Sequence, residues 1–322
     1  MSGASASTAT ATTATASGPG PARDRAAYVG RFAPSPTGRL HLGSLLAALG
    51  SFLDARHAHG RWLVRMEDLD SARVVPGCAA QILRTLEAFG LEWDGEVLYQ
   101  SGRLGEYGAA LERLRAAGLT FECSCSRRAR AAGEDRGYPG TCRGGPRGTG
   151  PTATRLRIDR DVRFEDRLQG EYRMSARQLG DVIIRRRDGV YAYQLAVVVD
   201  DAAQAVTDVV RGCDLIDSTG WQLELQRALA LPQPRYAHLP LVVESGGEKL
   251  AKARRSVPLE PRSAGPLLYL TLELLAQRPP PELARATPAA LLAWAIPHWN
   301  PAALKGVRRV RAPPAGAGLK SR

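Results

Sequence analysis

Two short segments far apart in this chain carry residue types suited to handling phosphate. Arg31-Phe-Ala-Pro-Ser-Pro-Thr-Gly-Arg-Leu-His-Leu-Gly-Ser44 is a Pro- and Gly-rich turn that delivers His41 and Gly43 to the start of an apolar stretch, and Glu248-Lys-Leu-Ala-Lys252 sets two lysines in a Gly-rich loop. The first backbone N–H groups of a helix have no intrahelical partner and carry the positive end of its dipole, so a phosphate sits well there. His41 is expected to donate to the same oxygens. Gly43, with no side chain, lets a nucleotide ring approach the backbone. With Lys249 and Lys252 neutralising charge, the chemistry implied is activation by ATP.

These residues need a frame. Tyr28-Val-Gly-Arg-Phe32 reads as a strand that must stop near Ala33, because Pro34 and Pro36 cannot continue a central strand. From Leu42 to His57, Leu45, Leu46, Leu49, Phe52 and Leu53 recur at helical spacing. A second strand, Trp62–Met66, then ends in Glu67-Asp68-Leu69-Asp70, giving a βαβ unit with parallel strands. Ligands of such sheets bind at the carboxyl ends of the strands, so Arg31, Ser35 and Glu67 are expected to converge. Taken alone, the acidic run reads equally as a helix cap or a solvated turn. Further along, Asp181–Arg187 and Val190–Tyr193 flank Asp188-Gly189, a hairpin signal. Leu195–Val199 returns the chain to apolar structure, Ala205–Val210 reads as a strand ending at Arg211, and Asp217–Leu229 reads as a helix. Two more helices are expected, around Leu267–Gln277 and Pro288–Ile296.

The chain has 322 residues and a net charge of +12, and the position of that charge is informative. Residues 305–322 hold six basic residues and no acid, and Ser126–Arg187 holds sixteen arginines against eight acids, so the remainder is slightly acidic. Arginine clusters of this kind match phosphate backbones; a solvated Arg-rich surface is the competing explanation. Aromatic residues are sparse in that stretch, with Tyr138, Phe164 and Tyr172, which favours backbone contacts to a folded RNA over stacking on single strands. Residues 1–27 are almost entirely small or polar and cannot bury enough surface to fold, so they read as a disordered tail or the product of an upstream start codon. No apolar run reaches membrane-spanning length and no secretory signal is evident, so the expected location is cytoplasmic, with no membrane partner.

Three of the five cysteines, Cys123, Cys125 and Cys142, fall within twenty residues. In a cytosolic chain clustered thiols read as metal ligands before disulfides. Three thiolates leave a tetrahedral zinc one ligand short, and water or any nearby side chain would complete it.

Taken together, Arg-Phe-Ala-Pro-Ser-Pro-Thr-Gly with His-Leu-Gly-Ser, then Arg-Met-Glu-Asp-Leu-Asp, then Arg211-Gly-Cys-Asp-Leu215, then Lys-Leu-Ala-Lys resemble the catalytic half of the class I glutamyl-tRNA synthetases, from about Tyr28 to about Ser256. The resemblance implies an α/β fold: a class I synthetase Rossmann-like parallel sheet with an inserted zinc-containing RNA-binding α+β domain. It divides the chain into a tail at 1–27, a nucleotide-binding catalytic domain at 28–122 and 176–256, a zinc-binding insertion at 123–175, a helical segment at 257–304 and a basic disordered tail at 305–322. It also implies that Arg31, Phe32, Ala33, Pro34, Ser35, Glu67, Tyr193 and Arg211 bind glutamate. His41, Gly43 and Lys252 would bind ATP, and His41, Lys249 and Lys252 would act in catalysis, with magnesium arriving on the nucleotide. Arg211 would meet the substrate's side-chain carboxylate, although by itself it could pair with Asp208 or Asp214. One departure is Ala251, where the family's lysine loop usually carries Ser or Thr.

The spacing of Cys123, Cys125 and Cys142 is similar to a site in a truncated branch of this family, in which a tyrosine completes the coordination, and Tyr138 stands at that position. Seventy residues follow Lys252, too few for an anticodon-reading domain of typical size beside a disordered tail. By resemblance, the truncated branch activates glutamate without tRNA and transfers it to queuosine at the wobble position of tRNA(Asp), so the partner expected is that anticodon stem-loop. Loading of a tRNA 3′ end, or tRNA binding without catalysis, are the alternatives.

Overall fold

The computed structural model describes residues 1, 27–125, 137–243 and 259–312. The first strand, β1 (Val29–Phe32), is buried along its whole length and is followed by the proline turn. Helix α1 (Leu42–His57) returns the chain to β2 (Arg61–Met66), which lies parallel to β1 with Arg31 opposite Leu63. Nearly every face of α1 is covered: Leu45, Leu46, Leu49 and Leu53 are buried, and Trp62 of β2 packs edge-on to Phe52 while donating its indole N–H to Ser51 Oγ at 3.0 Å. Each such leucine contributes roughly 1.5–3 kcal/mol by leaving water.

After α2 (Cys78–Ala88), strand β3 (Leu98–Tyr99) pairs parallel to β2, and α3 (Leu104–Ala116) leads into β4 (Thr120–Cys123). Strand β5 (Ala153–Leu156) pairs antiparallel with β4. The hairpin β6 (Val162–Asp166) and β7 (Gly170–Met174) precedes a short helix α4 (Ala176–Leu179) and β8 (Val182–Arg185). Helix α5 (Tyr193–Ala203), β9 (Asp208–Gly212), α6 (Ile216–Ala228) and β10 (Arg235–Leu239) follow. β10 runs parallel to both β9 and β6, and Thr207 just ahead of β9 exchanges hydrogen bonds with Val29, which sets β9 beside β1. The expected parallel α/β core is therefore present.

Three expectations change. The stretch assigned to one insertion, 123–175, is shared between two sheets: β4, β5 and β8 form a small antiparallel sheet, whereas β6 and β7 extend the sheet of β9 and β10. Local composition could not separate them, because the choice is made by partners far away in sequence. The Asp188-Gly189 turn forms, with Gly189 at φ 87°, but its second arm shrinks to one bridge between Arg185 and Tyr191, since the helix α5 begins at Tyr193. That helix also takes up Leu195–Val199.

The third change concerns the C-terminus. Helices α7 (Ala264–Leu274) and α8 (Pro288–His298) form, the first shifted three residues toward the N-terminus and the second two residues longer than expected at its C-terminal end. Beyond them, residues 305–312 are not tail: β11 (Leu241–Val243) pairs parallel with β12 (Arg309–Arg311). The Gly306 N–H reaches Leu168 O at 2.9 Å, Gln169 Nε2 donates to Val307 O at 3.0 Å, and Arg308 donates to the Tyr172 hydroxyl. A buried Asp54 completes the seam, accepting from Tyr28, from Arg167 and from Trp299 Nε1 at 3.0 Å.

Candidate active site

The carboxyl ends of β1, β2 and β9 open onto one cleft of about 470 Å³. Arg31, Phe32, Ala33 and Ser35 line it from β1 and its turn, His41 and Gly43 from the start of α1, Glu67 from β2, Tyr193 from α5 and Arg211 from β9. Pro34, expected among them, lies behind the lining; its carbonyl accepts the Glu67 N–H at 3.0 Å and so places that residue. Lys249, Ala251 and Lys252 lie outside the described residues, just beyond β11, whose Leu241 and Val242 form an apolar part of the wall.

His41 does something the sequence did not suggest. Its Nδ1 accepts the Gly43 N–H at 3.1 Å and the Ser44 N–H at 3.3 Å, while Ser44 Oγ accepts the His41 N–H at 3.0 Å, a reciprocal cap. Two of the first N–H groups of the helix are thus satisfied by the ring itself. An accepting Nδ1 puts the proton of a neutral ring on Nε2. A Cβ on Gly43 would stand 3.1 Å from His41 Cε1, so the glycine protects the cap as well as the approach.

Of the acidic run, only Glu67 enters the cleft. Asp68 accepts from Ser101 N and Oγ at 2.8 and 2.6 Å, and Asp70 pairs with Arg73 and Arg186, so those two are structural. Glu67 Oε1 is buried without a hydrogen-bond partner, and Arg65 stands 3.9 Å away. Burial, with Asp201 and Asp200 adding to it, outweighs Arg65 and Arg31 and pushes the carboxyl up to about 7. A cation entering the cleft would restore its ionised form.

Arg211 is the complementary group. It is 5% exposed, and each of its partners is neutral: His238 Nε2 at 3.0 Å, Gln222 Oε1 at 2.8 Å, Thr219 Oγ1 at 2.9 Å, the Leu215 carbonyl at 3.3 Å and Tyr193 Oη at 3.5 Å. The ion pair with Asp208 does not form, because Asp208 takes Arg235 at 2.7 Å. Among the described residues no carboxylate lies within ion-pair distance of Arg211. A buried guanidinium without a counter-charge is costly unless an anion is supplied from outside.

Sequence reasoning missed the groups that hold the floor of the cleft. Asp201 accepts from Arg31 Nε at 3.2 Å and Arg65 NH2 at 2.7 Å, and Asp200 accepts from Arg103, Gln100 and Tyr107. The available signal was a pair of acids directly after the apolar run of α5.

The cysteine cluster is a second site. The sulfurs of Cys123, Cys125 and Cys142 lie within 4.8 Å of one another, and Tyr138 Oη is 3.4 Å from Cys123 Sγ, 3.6 Å from Cys125 Sγ and accepts the Cys142 N–H at 2.9 Å. Burial pushes the Cys142 thiol up, but hydrogen bonds from Tyr138 and the Ser124 backbone outweigh it and bring it to about 6. Gly180, at φ 60°, lets the turn after α4 abut this site: a Cβ there would be 2.1 Å from Tyr138 N. Three soft donors at this separation could hold a metal ion.

The arginine-rich stretch is less open than its composition implied. Arg143 is spent on Asp159 and Asp181, Arg155 lies over the Tyr138 ring, Arg167 pairs with Asp54, and Arg163 and Arg173 share Glu171. Arg155, Arg186 and Arg187 line an opening beside Cys123 and Cys125. Arg127, Arg128, Arg130 and Arg136 lie outside the described residues.

Residues 28–260 match the family described as tRNA synthetases class I (E and Q), catalytic domain. A glutamyl-Q tRNA(Asp) synthetase of Ectopseudomonas mendocina is 55% identical over 276 residues, covering 85% of this chain and 94% of the relative. A glutamate-tRNA synthetase of Elizabethkingia anophelis superposes with a TM-score of 0.74 at 22% identity, covering 88% of this chain and 68% of the other, which speaks to the fold. A glutamate tRNA ligase of Elizabethkingia meningosepticum, solved in complex with its amino acid, gives 0.62 at 27% identity over 73% of this chain and 52% of the other.

Proposed function

The chain belongs to the class I tRNA synthetases of the glutamate and glutamine type, and from that premise we propose that it activates glutamate with ATP, without tRNA, and transfers it to queuosine at the wobble position of tRNA(Asp). The observation that carries the glutamate reading is the buried Arg211, which has no carboxylate partner among the described residues, in the same cleft as Glu67, whose carboxyl burial pushes up to about 7. A substrate with one carboxylate for Arg211 and one ammonium for Glu67 satisfies both. A guanidinium offers two parallel donors to a carboxylate, which rewards glutamate over glutamine. The second carboxylate, near Arg31, Ala33 and Ser35, is already a nucleophile and needs no general base: its oxygen bonds to the α-phosphorus of ATP as the bond to the β-phosphate oxygen breaks, and pyrophosphate leaves. The chain's part is alignment and charge stabilisation, by His41 through Nε2–H and by Lys249 and Lys252. In the second step a queuosine hydroxyl takes the glutamyl group and AMP departs.

ATP–pyrophosphate exchange with glutamate in the absence of tRNA tests this reading. Because binding an ammonium favours ionised Glu67, the KM for glutamate should be flat above about pH 7 and rise as pH falls below it, approaching ~10-fold per unit once Glu67 is mostly protonated. A KM unchanged from pH 8 to pH 5.5 would remove Glu67 from this role.

Cys123, Cys125, Cys142 and Tyr138 would hold one zinc ion that ties the end of β4 to the turn before β5. The contribution is structural, since three thiols and a phenol leave no open position for chemistry. Protein purified without chelator is expected to carry one zinc per chain, and Cys142→Ser to lose it and melt several degrees lower; full zinc occupancy in that variant would exclude Cys142 as a ligand. The opening beside this site, where Arg187 is exposed, is the surface offered to the RNA backbone. Among the described residues no helix is long and apolar enough to cross a membrane.

A further inference from the structure

Behind the cleft lies a buried pair that none of the roles above uses. Asp166 ends β6 and His238 lies in β10, directly opposite Arg211 of the parallel strand β9. Both are almost fully buried, at 2% and 0% exposure. Asp166 Oδ2 is 2.6 Å from His238 Nδ1, and Oδ1 accepts the backbone N–H groups of Leu168, Gln169 and His238 at 3.0, 2.8 and 3.2 Å. Burial would raise this carboxyl, but the His238 and backbone hydrogen bonds outweigh it and keep it ionised.

The opposite ring nitrogen meets Arg211. Arginine Nε–H is a donor only, so the contact at 3.0 Å requires a lone pair on His238 Nε2 and puts the ring proton on Nδ1, toward Asp166. Burial and the neighbouring Arg211 hold the imidazole below its usual range, in keeping with a neutral ring. The order of donation is therefore Arg211 to His238 to Asp166, and each link depends on the next. Without Asp166 the proton is free to move to Nε2, where it would confront the Arg211 Nε–H.

We propose that Asp166 and His238 are positioning residues that lock the Arg211 guanidinium in the orientation by which this cleft distinguishes a carboxylate from a carboxamide. A guanidinium fixed at Nε presents its terminal donors along one line. A carboxylate can accept from both in place of the longer contacts to Tyr193 Oη and the Leu215 carbonyl, at 3.5 and 3.3 Å, whereas a carboxamide brings its own N–H₂ against one of them. A guanidinium freed at Nε can turn to find the carboxamide oxygen alone, so discrimination falls more than binding does. This inference rests on the reading of Arg211 as the receptor for the glutamate side chain.

The test is tRNA-independent pyrophosphate exchange with glutamate and with glutamine, on Asp166→Asn, His238→Leu, His238→Gln and Arg211→Leu. His238→Leu and Asp166→Asn are expected to raise the KM for glutamate and cut the glutamate-to-glutamine ratio of kcat/KM by about tenfold or more, with kcat and the KM for ATP within about threefold of wild type. His238→Gln, whose amide can accept from Arg211 and donate to Asp166, should keep the ratio within about threefold. If Arg211→Leu abolishes discrimination while His238→Leu leaves the ratio intact, the positioning role is overturned and the receptor reading stands. If Arg211→Leu itself leaves the ratio intact, the receptor reading fails and this inference with it. A parallel rise in the KM for ATP and fall in kcat across the His238 and Asp166 variants would mark a general loss of structure and also overturn the proposal.

Discussion

Arg211→Leu should lower kcat/KM for glutamate in tRNA-independent exchange by roughly two to four orders of magnitude, while the KM for ATP stays within about twofold. The size follows from the environment. Among the described residues the buried Arg211 cation hydrogen-bonds to neutral groups alone, so an incoming carboxylate both gains a paired charge and relieves an unpaired one. Leucine removes the charge while filling much of the volume, which separates recognition from packing. The loss should fall on KM for glutamate more than on kcat, since Arg211 meets the side chain and not the reacting carboxylate. A variant within tenfold of wild type would mean that the side-chain carboxylate binds elsewhere.

The second large effect is on stability. Asp201→Ala leaves Arg31 and Arg65, at 3% and 0% exposure, without their shared carboxylate. Removing one partner of a buried ion pair typically costs about 3–5 kcal/mol, and here one carboxylate serves two guanidinium groups. Arg65 would keep Gln204 as an acceptor at 2.8 Å, but its remaining carboxylates, Glu67 and Asp200, stand only at 3.9 and 4.0 Å and its buried Nε has no hydrogen bond. Urea denaturation should show a loss in that range, and Asp201→Asn, which keeps an acceptor, a smaller one. Burial pushes the Asp201 carboxyl up, but Arg31 and Arg65 outweigh it and hold it below the usual carboxylate range. Its contribution to stability is therefore present above about pH 4 and lost as pH falls through the depressed value. A loss under about 1 kcal/mol for Asp201→Ala would show that the two arginines find other counter-charges.

The strand, turn and helix around Arg31–His57 were legible because each boundary has a local cause: prolines that end β1, and apolar residues at helical spacing in α1. The residues that line the cleft were legible through the same motifs. What local pattern could not carry was partnership at a distance. Asp166 and His238 are 72 residues apart, and neither looks functional in its own neighbourhood. The capping role of His41 was missed for the opposite reason, since a histidine at a helix start can serve its own backbone as well as a ligand. Residues 305–312 read as tail from charge and glycine content alone, yet the carbonyl of Leu168 and the strand at Leu241–Val243 give their backbone a place to bond. In the same way, β6 and β7 looked like part of an inserted domain until β10 supplied their neighbour.

We propose that glutamate activated in this cleft is delivered to an anticodon base. Purified protein, ATP and labelled glutamate should be incubated with tRNA(Asp) that contains queuosine, and the tRNA digested to nucleosides and analysed by mass spectrometry. The label is expected to co-elute with a glutamylated queuosine, with none on the 3′ adenosine. Label on the 3′ adenosine, or tRNA(Asp) bound with no label transferred, would contradict it.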